Sequence, residues 1–204
     1  MIYSYKELLE SGLKRYQIER KVDNKELYKI EKGIYSNEKF PSELSIIVKK
    51  YSKGIFTLNS AFFYYELTDK IPDNYYLATD RKSRSIENKL VKQIFTKKEL
   101  LKIGLTEMKI EDTEINIYDK ERLLIELIRY KSKLSYELYK EVLNNYRKIK
   151  NELNFIKLYG YAQHFNSSFI IKAIETEVMW IYYRTLKILF KSNFIEKYNG
   201  QDLI

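Results

Sequence analysis

Residues 4–35 read SYKELLESGLKRYQIERKVDNKELYKIEKGIY, and this stretch decides the fold predicted for the N-terminal part of the chain. Ser4 and Glu7 have the spacing of a capping box, in which a hydroxyl and a carboxylate satisfy free amides at the start of a helix. Gly12 is the residue type that ends a helix in the left-handed conformation. The pattern therefore predicts a first short helix between Ser4 and Gly12.

A second short helix is predicted over residues 14–22, where Ile18 and Val22 lie four residues apart on one face. Asp23-Asn24 then has the chemistry of a turn. Apolar residues flank Gly33, which we expect at the positive-φ position of a small hairpin. Two short helices across a glycine turn, followed by a hairpin with a basic tip, predict a minimal winged helix-turn-helix.

The predicted second helix and hairpin carry side chains suited to DNA. Such a helix must enter a major groove about 12 Å wide, and cations near the phosphates hold it there. The candidate DNA-binding residues of the helix are Lys14, Arg15, Gln17, Arg20 and Lys21. Those in or beside the hairpin are Lys25, Lys29 and Lys32. Acidic residues share the segment and keep its net charge small, so an ordinary solvated helical hairpin is the alternative.

Residues 39–204 are predicted to form a second domain after a winged helix-turn-helix domain over 1–38. We predict strands over 75–79, 90–95, 108–110 and 115–117. We predict helices over 41–51, with Pro41 at the first position, and over 55–66. Further helices are predicted to begin at a second capping box at Thr96, at Asp119 and at Ser135. The tail 180–204 is either a terminal helix or a dimer element. The expected fold class is α+β: a small winged helix-turn-helix, then a mixed α/β and finally mostly helical C-terminal domain.

The composition excludes several kinds of site. The chain has no cysteine and one histidine, which excludes disulfides and cysteine nucleophiles and leaves little for a zinc site or a histidine triad. No signal peptide is visible, and the longest apolar stretch, 178–190, is too short to span a bilayer. We expect a soluble, cytoplasmic protein with no membrane partner. The net charge of +9 favours a polyanionic partner, or it reflects an AT-rich genome.

A second basic surface is predicted in the C-terminal domain. Its candidate residues, for nucleic-acid binding or for antitoxicity, are Arg81, Lys82, Arg84, Lys89 and Lys92, and the basic run continues with Lys97, Lys98 and Lys102. This run would extend the DNA footprint or bind an RNA that a toxin modifies. The alternative is a solvated face.

No residue set indicates an enzyme, a metal or a cofactor. His164 is interpreted as structural. Glu111, Asp112 and Glu114 cluster like metal ligands but lie at a predicted hairpin turn, where acids are common. We therefore predict no catalytic residues, no metal site and no cofactor.

Short motifs in a fixed order link most of the chain, from about Ser4 to about Glu177, to one family. They are Leu9-Glu10-Ser11-Gly12, Lys32-Gly33-Ile34-Tyr35, Lys53-Gly54-Ile55-Phe56-Thr57, Asn59-Ser60-Ala61-Phe62, Glu66-Leu67-Thr68-Asp69 with Ile71-Pro72, and Tyr118-Asp119-Lys120-Glu121-Arg122-Leu123. In this order and at these spacings they resemble the AbiEi antitoxins of type IV abortive-infection toxin–antitoxin systems, which act in phage defence.

The resemblance implies an N-terminal winged helix that binds inverted repeats in its own promoter as double-stranded DNA and represses the operon. It also implies a C-terminal domain with antitoxin activity against a nucleotidyltransferase-like toxin, without a stable complex between the two proteins. The implied DNA contacts fall on the same predicted helix. Arg15 and Gln17 are the candidates for base recognition, since Arg pairs bidentately with guanine and Gln with adenine. A palindromic operator would suit two monomers paired on DNA.

Two other classes of function stay open. In the first, the chain is an enzyme or an RNA-binding protein that opposes the toxin at its target, and turnover or RNA binding by the purified protein would reveal it. In the second, the chain is an interaction module that sequesters a protein partner, and co-purification of a stoichiometric complex would reveal it.

Overall fold

The computed structural model describes residues 1–165 and 167–179, which fall into two compact units. Unit 1 comprises Met1–Phe56 and Thr106–Ile117, and unit 2 comprises Thr57–Leu105 and the described residues from Tyr118 onward. Helices and strands occur in both, so the α+β class is confirmed. The predicted division into 1–38 and 39–204 stays a prediction. The two alternatives for the tail 180–204 lie outside the described residues.

The N-terminal part of unit 1 is built from three short strands and two short helices. In chain order these are β1 (Ile2–Ser4), α1 (Tyr5–Glu10), α2 (Arg15–Asp23), β2 (Tyr28–Glu31) and β3 (Ile34–Ser36). The strands form an antiparallel sheet in the order β1-β3-β2. Strand β1 had no counterpart in the sequence prediction, because three residues are too few for an alternating pattern to show.

The local signals that predicted these elements are present. The backbone amide of Glu7 donates to Ser4 Oγ at 3.2 Å, and that of Ser4 donates to Glu7 Oε2 at 2.7 Å, which completes the capping box. Gly12 and Gly33 have φ values of +89° and +81°, in the region that glycine adopts without a steric cost. Leu8, Ile18 and Leu27 form the buried centre between helices and sheet. The helix–turn–helix–hairpin order predicted from the pattern is therefore confirmed as secondary structure.

The remaining elements of unit 1 are α3 (Glu43–Lys50), β4 (Ile55–Phe56), β7 (Leu105–Ile110) and β8 (Thr113–Tyr118). Helix α3 packs against β1 and β3. The prediction that Pro41 starts this helix was wrong: Ser42 is the cap, because its Oγ accepts the amide of Ser45 at 3.2 Å. The two strands of the predicted hairpin, β7 and β8, are neighbours joined through a turn at Glu111.

The predicted helix over 55–66 was wrong at its beginning. Ile55 and Phe56 form β4, which pairs in parallel with β8 through Phe56 and Ile117. Two consecutive apolar residues fit a buried strand as well as a helix, so the pairing partner decides.

Unit 2 contains two strands and six helices among its described residues. They are α4 (Leu58–Tyr64), β5 (Tyr75–Asp80), β6 (Val91–Thr96), α5 (Lys98–Leu101), α6 (Lys120–Arg129), α7 (Tyr136–Lys148), α8 (Phe155–Ala162) and α9 (Ser167–Glu177). Strands β5 and β6 are parallel, so residues 81–90 form the crossover between them. The capping box predicted at Thr96 was wrong, because Thr96 ends β6 paired with Asp80 and Lys97 caps α5.

Helix α6 begins where the sequence predicted and lies at the centre of unit 2. Asp119 Oδ1 accepts the amide of Arg122 at 2.8 Å, as a helix cap does. Eight of the ten residues of α6 are buried. Across residues 1–165 and 167–179, no helix combines the length and the apolarity needed to cross a membrane.

Candidate nucleic-acid interface

Helix α2 packs Ile18 and the partly buried Val22 against the interior and presents a polar face to solvent. Ile18 is buried at 1% exposure, whereas Arg15, Tyr16 and Arg20 are exposed. Tyr16 and Arg20 are four residues apart, so they lie on the same face of the helix. This outward face is the one that would approach a partner.

The cations of α2 differ in whether an acid already neutralises them. Arg15 Nε lies 2.9 Å from Glu19 Oε1, and Lys21 Nζ lies 2.9 Å from Glu26 Oε2. Within the part of the chain that the structure describes, Arg20 forms no ion pair. Arg20 is therefore the helix cation most available to a phosphate or a base edge.

Each of these two ion pairs also shifts the pKa of one of its members. The hydrogen bond with Glu19 raises the pKa of Arg15, which is fully charged at any working pH in either case. The hydrogen bond with Lys21 lowers the pKa of Glu26, so this acid stays ionised well into the acidic range. Both pairs are exposed and weak, and a phosphate can replace the carboxylate as the cation's partner.

Gln17 occupies a different role from the one that the sequence assigned. Its Oε1 accepts the backbone amide of Lys14 at 2.7 Å, which satisfies a free donor at the start of α2. Bidentate recognition of adenine needs both the oxygen and the nitrogen of the amide group. In this arrangement Gln17 holds the helix start, and Arg15 and Arg20 are left as the arginines that can reach a base.

The hairpin of β2 and β3 adds two cations beside the helix. Lys29 and Lys32 are exposed, and together with Arg15 they line a cavity of about 510 Å³ between α2 and the hairpin. Glu19 and Asp23 line the same cavity, so its charge is mixed. The other candidates, Lys14, Gln17, Arg20, Lys21 and Lys25, do not line it.

Tyr16 is the residue of this surface that the sequence prediction missed. It is 62% exposed and sits on the outward face between Arg15 and Arg20. The helical phase set by Ile18 and Val22 already placed position 16 opposite the interior. An exposed tyrosine in that position can donate a hydrogen bond to a phosphate oxygen.

The second basic surface is the crossover loop between β5 and β6. Arg81, Lys82, Arg84 and Lys89 are exposed there, as is Lys92 on β6. None of these five cations forms an ion pair among residues 1–165 and 167–179.

The side chain of Gln93 fixes the shape of the loop. Its Oε1 accepts the amide of Ile86 at 2.8 Å, and its Nε2 donates to the carbonyl of Arg84 at 3.1 Å and to Thr79 Oγ1 at 2.8 Å. The loop therefore carries its unneutralised cations on an anchored backbone.

Two residues that could be mistaken for catalytic groups are His164 and Ser60, and the hydrogen bonds of Ser60 are structural. His164 follows the end of α8 and is exposed. Ser60 Oγ accepts the amide of Tyr76 at 2.8 Å and donates to the carbonyl of Asn74 at 3.2 Å. In the described ranges no three acidic or histidine side chains converge to hold a metal ion, and this holds for the Glu111–Asp112–Glu114 cluster.

Comparison with known families and proteins gives no further guide to this surface. No protein-family model matches the chain, and no curated protein matches it at a significant level.

Proposed function

We propose that the chain is the antitoxin of a type IV abortive-infection toxin–antitoxin system and represses its own operon by binding inverted repeats in its promoter. The proposal takes α1, α2 and the β2–β3 hairpin as a winged helix-turn-helix, with α2 as the recognition helix and the hairpin as the wing. It rests on the motif resemblance and on one structural observation. That observation is the outward face of α2, where Arg20 is exposed and forms no ion pair among the described residues.

The geometry supports this function because it meets the two needs of a DNA reader. A slim helix with one buried residue can enter a major groove, and lysines on an adjacent hairpin can neutralise phosphates. Helix α3 packs on the sheet and so fits the third helix of a winged helix. Acting as a pair on a palindrome, two monomers would need no interface in solution.

The test is an electrophoretic mobility shift on the DNA upstream of the gene, with a salt series. We expect Arg20→Ala to weaken specific binding about tenfold, equivalent to about 1.4 kcal/mol. If Arg20 contacts a phosphate instead of a base, the slope of log K against log salt should fall by about one. Arg15→Ala should weaken binding less, because Glu19 already neutralises Arg15 in the free protein.

Lys109→Ala, an exposed lysine on β7 in the same unit, is the matched control and should bind as the parent does. Equal binding by the parent, Arg20→Ala and Arg15→Ala would show that α2 does not read DNA. In cells that express the adjacent nucleotidyltransferase-like toxin, Arg20→Ala should still restore growth, since the antitoxin activity is assigned to residues 39–204. The proposal places the protein in the cytoplasm, without a stable complex with the toxin.

RNA binding by unit 2 is the second candidate, and the anchored crossover loop favours it. Five exposed cations without acidic partners on one loop and strand form a surface that suits a nucleic-acid backbone. Filter binding of single-stranded RNA should weaken in Arg81→Ala/Arg84→Ala and stay unchanged in Arg20→Ala. The reverse result would assign nucleic-acid binding to unit 1 alone.

A further inference from the structure

Unit 2 has a cavity, open to solvent on one side, that the proposed DNA-binding function does not use. Its volume is about 570 Å³, within the roughly 300–1,000 Å³ of typical small-molecule sites. The walls come from the start of α4, from β5 and β6, and from the segment that leads into α7. All of these elements belong to unit 2, so one compact unit shapes the whole cavity.

The charge of the cavity is of one sign. Lys70, Lys92 and Lys133 line it, and no acidic side chain of the described residues does. In the described part of the chain, Lys70 and Lys92 form no ion pair, and the ammonium of Lys133 lies 5.2 Å from the ring centroid of Tyr130. Three ammonium groups without carboxylates attract a ligand with several negative charges, and lysine binds phosphate as a point charge.

The cavity also contains flat apolar surface next to these cations. Tyr76, Phe95 and Tyr130 contribute rings to its lining, and Phe95 is 48% exposed although it is a large apolar side chain. A phosphate alone would gain nothing from such rings. A planar aromatic base attached to a phosphate would use both features, since nucleobases stack on aromatic side chains.

The wall at the start of α4 holds two features that need an explanation. Asn59 Oδ1 is a buried atom without a hydrogen-bond partner, and buried polar atoms are normally satisfied. Leu58, which precedes it, has a φ of +44°, a strained conformation for a side chain of this kind. Because this oxygen has almost no accessible surface, a ligand in the cavity does not reach it.

We infer that unit 2 binds a nucleoside phosphate in this cavity. The phosphates lie against Lys70, Lys92 and Lys133, and the base lies against the aromatic rings. This inference is independent of DNA binding by α2. The ligand is a free nucleotide or the terminal nucleotide of an RNA strand, which have this chemistry in common.

The test is isothermal titration calorimetry of the full chain with adenosine triphosphate at fixed ionic strength. We expect saturable binding, and at least tenfold weaker binding of both tripolyphosphate, which lacks the base, and adenosine, which lacks the phosphates. Lys92→Ala/Lys133→Ala should weaken binding of adenosine triphosphate at least tenfold.

The matched control is Lys140→Ala/Lys148→Ala, which removes two exposed lysines of unit 2 that lie outside the cavity lining. It should bind within a factor of two of the parent, and thermal melts should show that every variant is folded. Absence of saturable binding, equal binding of tripolyphosphate, or equal weakening in the control would overturn the inference. Displacement of the nucleotide by a short single-stranded RNA would identify the ligand as a strand terminus, and no displacement would identify it as a free nucleotide.

Discussion

Helices α2 and α6 use arginine in opposite ways. In α2 only Ile18 is buried, and both arginines of the helix are exposed. In α6 the side chain of Arg122 is completely buried and that of Glu126 is 3% exposed. The same residue type therefore serves as an available surface cation in unit 1 and as an internal connector in unit 2. Exposure decides which, because a guanidinium removed from water must find partners inside the protein.

Arg122 has backbone carbonyls, a carboxylate and aromatic rings as its partners inside the protein. Its Nη1 donates to the carbonyls of Leu100 at 2.9 Å and Ile103 at 3.0 Å, and its Nε donates to Glu126 Oε1 at 2.8 Å. Its Nη2 lies 2.7 Å from the same carboxylate oxygen, in a geometry too bent for a hydrogen bond. The guanidinium also lies 4.4 Å from the ring centroid of Tyr118 and 4.5 Å from that of Phe165.

The largest expected effect comes from breaking this internal use of arginine. Arg122→Leu should lower the free energy of unfolding by about 3–5 kcal/mol, because it leaves two part-buried carbonyls without this donor and the buried Glu126 with Arg129 alone. The measurement is urea unfolding of the full chain. Arg20→Leu on α2 is the control and should change the free energy of unfolding by less than about 0.5 kcal/mol. Similar losses in the free energy of unfolding for the two variants would contradict the difference between the buried Arg122 and the exposed Arg20.

Two glycines give a second way to sharpen the comparison. Gly104 and Gly12 both have positive φ, but a Cβ on Gly104 would lie 2.4 Å from Arg122 Cβ, whereas a Cβ on Gly12 would meet no atom within 4 Å. Gly12→Ala should therefore cost about 1 kcal/mol from backbone strain alone. Gly104→Ala should cost about 3 kcal/mol or more, since the helix backbone under Arg122 must move. Thermal unfolding of both variants measures the difference, and equal shifts in Tm would contradict it.

An effect smaller than that of Arg122→Leu appears at alkaline pH. Burial raises the pKa of Tyr118 to about 12, from about 10 for an exposed tyrosine. The folded state keeps its proton longer than the unfolded state, so this stabilisation is complete below pH about 10 and is lost as the pH rises towards 12. The loss at Tyr118 should reach up to about 2–3 kcal/mol.

Unfolding in urea at a series of alkaline pH values measures this loss. Tyr118→Phe removes the titrating phenol, along with its hydrogen bond to the carbonyl of Leu101, and should flatten the fall in stability. Tyr16→Phe on the exposed face of α2 is the control and should fall as the parent does. An equal slope in Tyr118→Phe and the parent would show that Tyr118 does not contribute.

Local signals predicted the elements of this protein best where one residue decides a conformation. Ser4 with Glu7, the glycines at 12 and 33, and Asp119 each satisfy or end a helix or turn by themselves, and each was found as predicted. The failures at Pro41, Ile55 and Thr96 share a cause. At each, the neighbouring residue offered a better cap or a distant strand offered pairing, and neither is visible in a short window.

The candidate interface shows the same division. The sequence identified the cations of α2, the hairpin and the loop 81–90, because charge is a property of composition. The cap contact of Gln17, the ion pair of Arg15 and the freedom of Arg20 depend on which neighbour each side chain reaches, so only the structure could rank them.

The sequence by itself determined the helix starts at Ser4 and Asp119, the glycine turns at 12 and 33, the α+β class and the basic character of two surfaces. The tertiary structure decided the parallel pairing of β5 and β6, the buried state of Arg122 and the cavity that Lys70, Lys92 and Lys133 line. The physical reason is how far apart along the chain the interacting residues lie. Caps and turns depend on contacts within about four residues, whereas pairing, burial and cavities depend on residues that are distant in the chain and come together only when it folds.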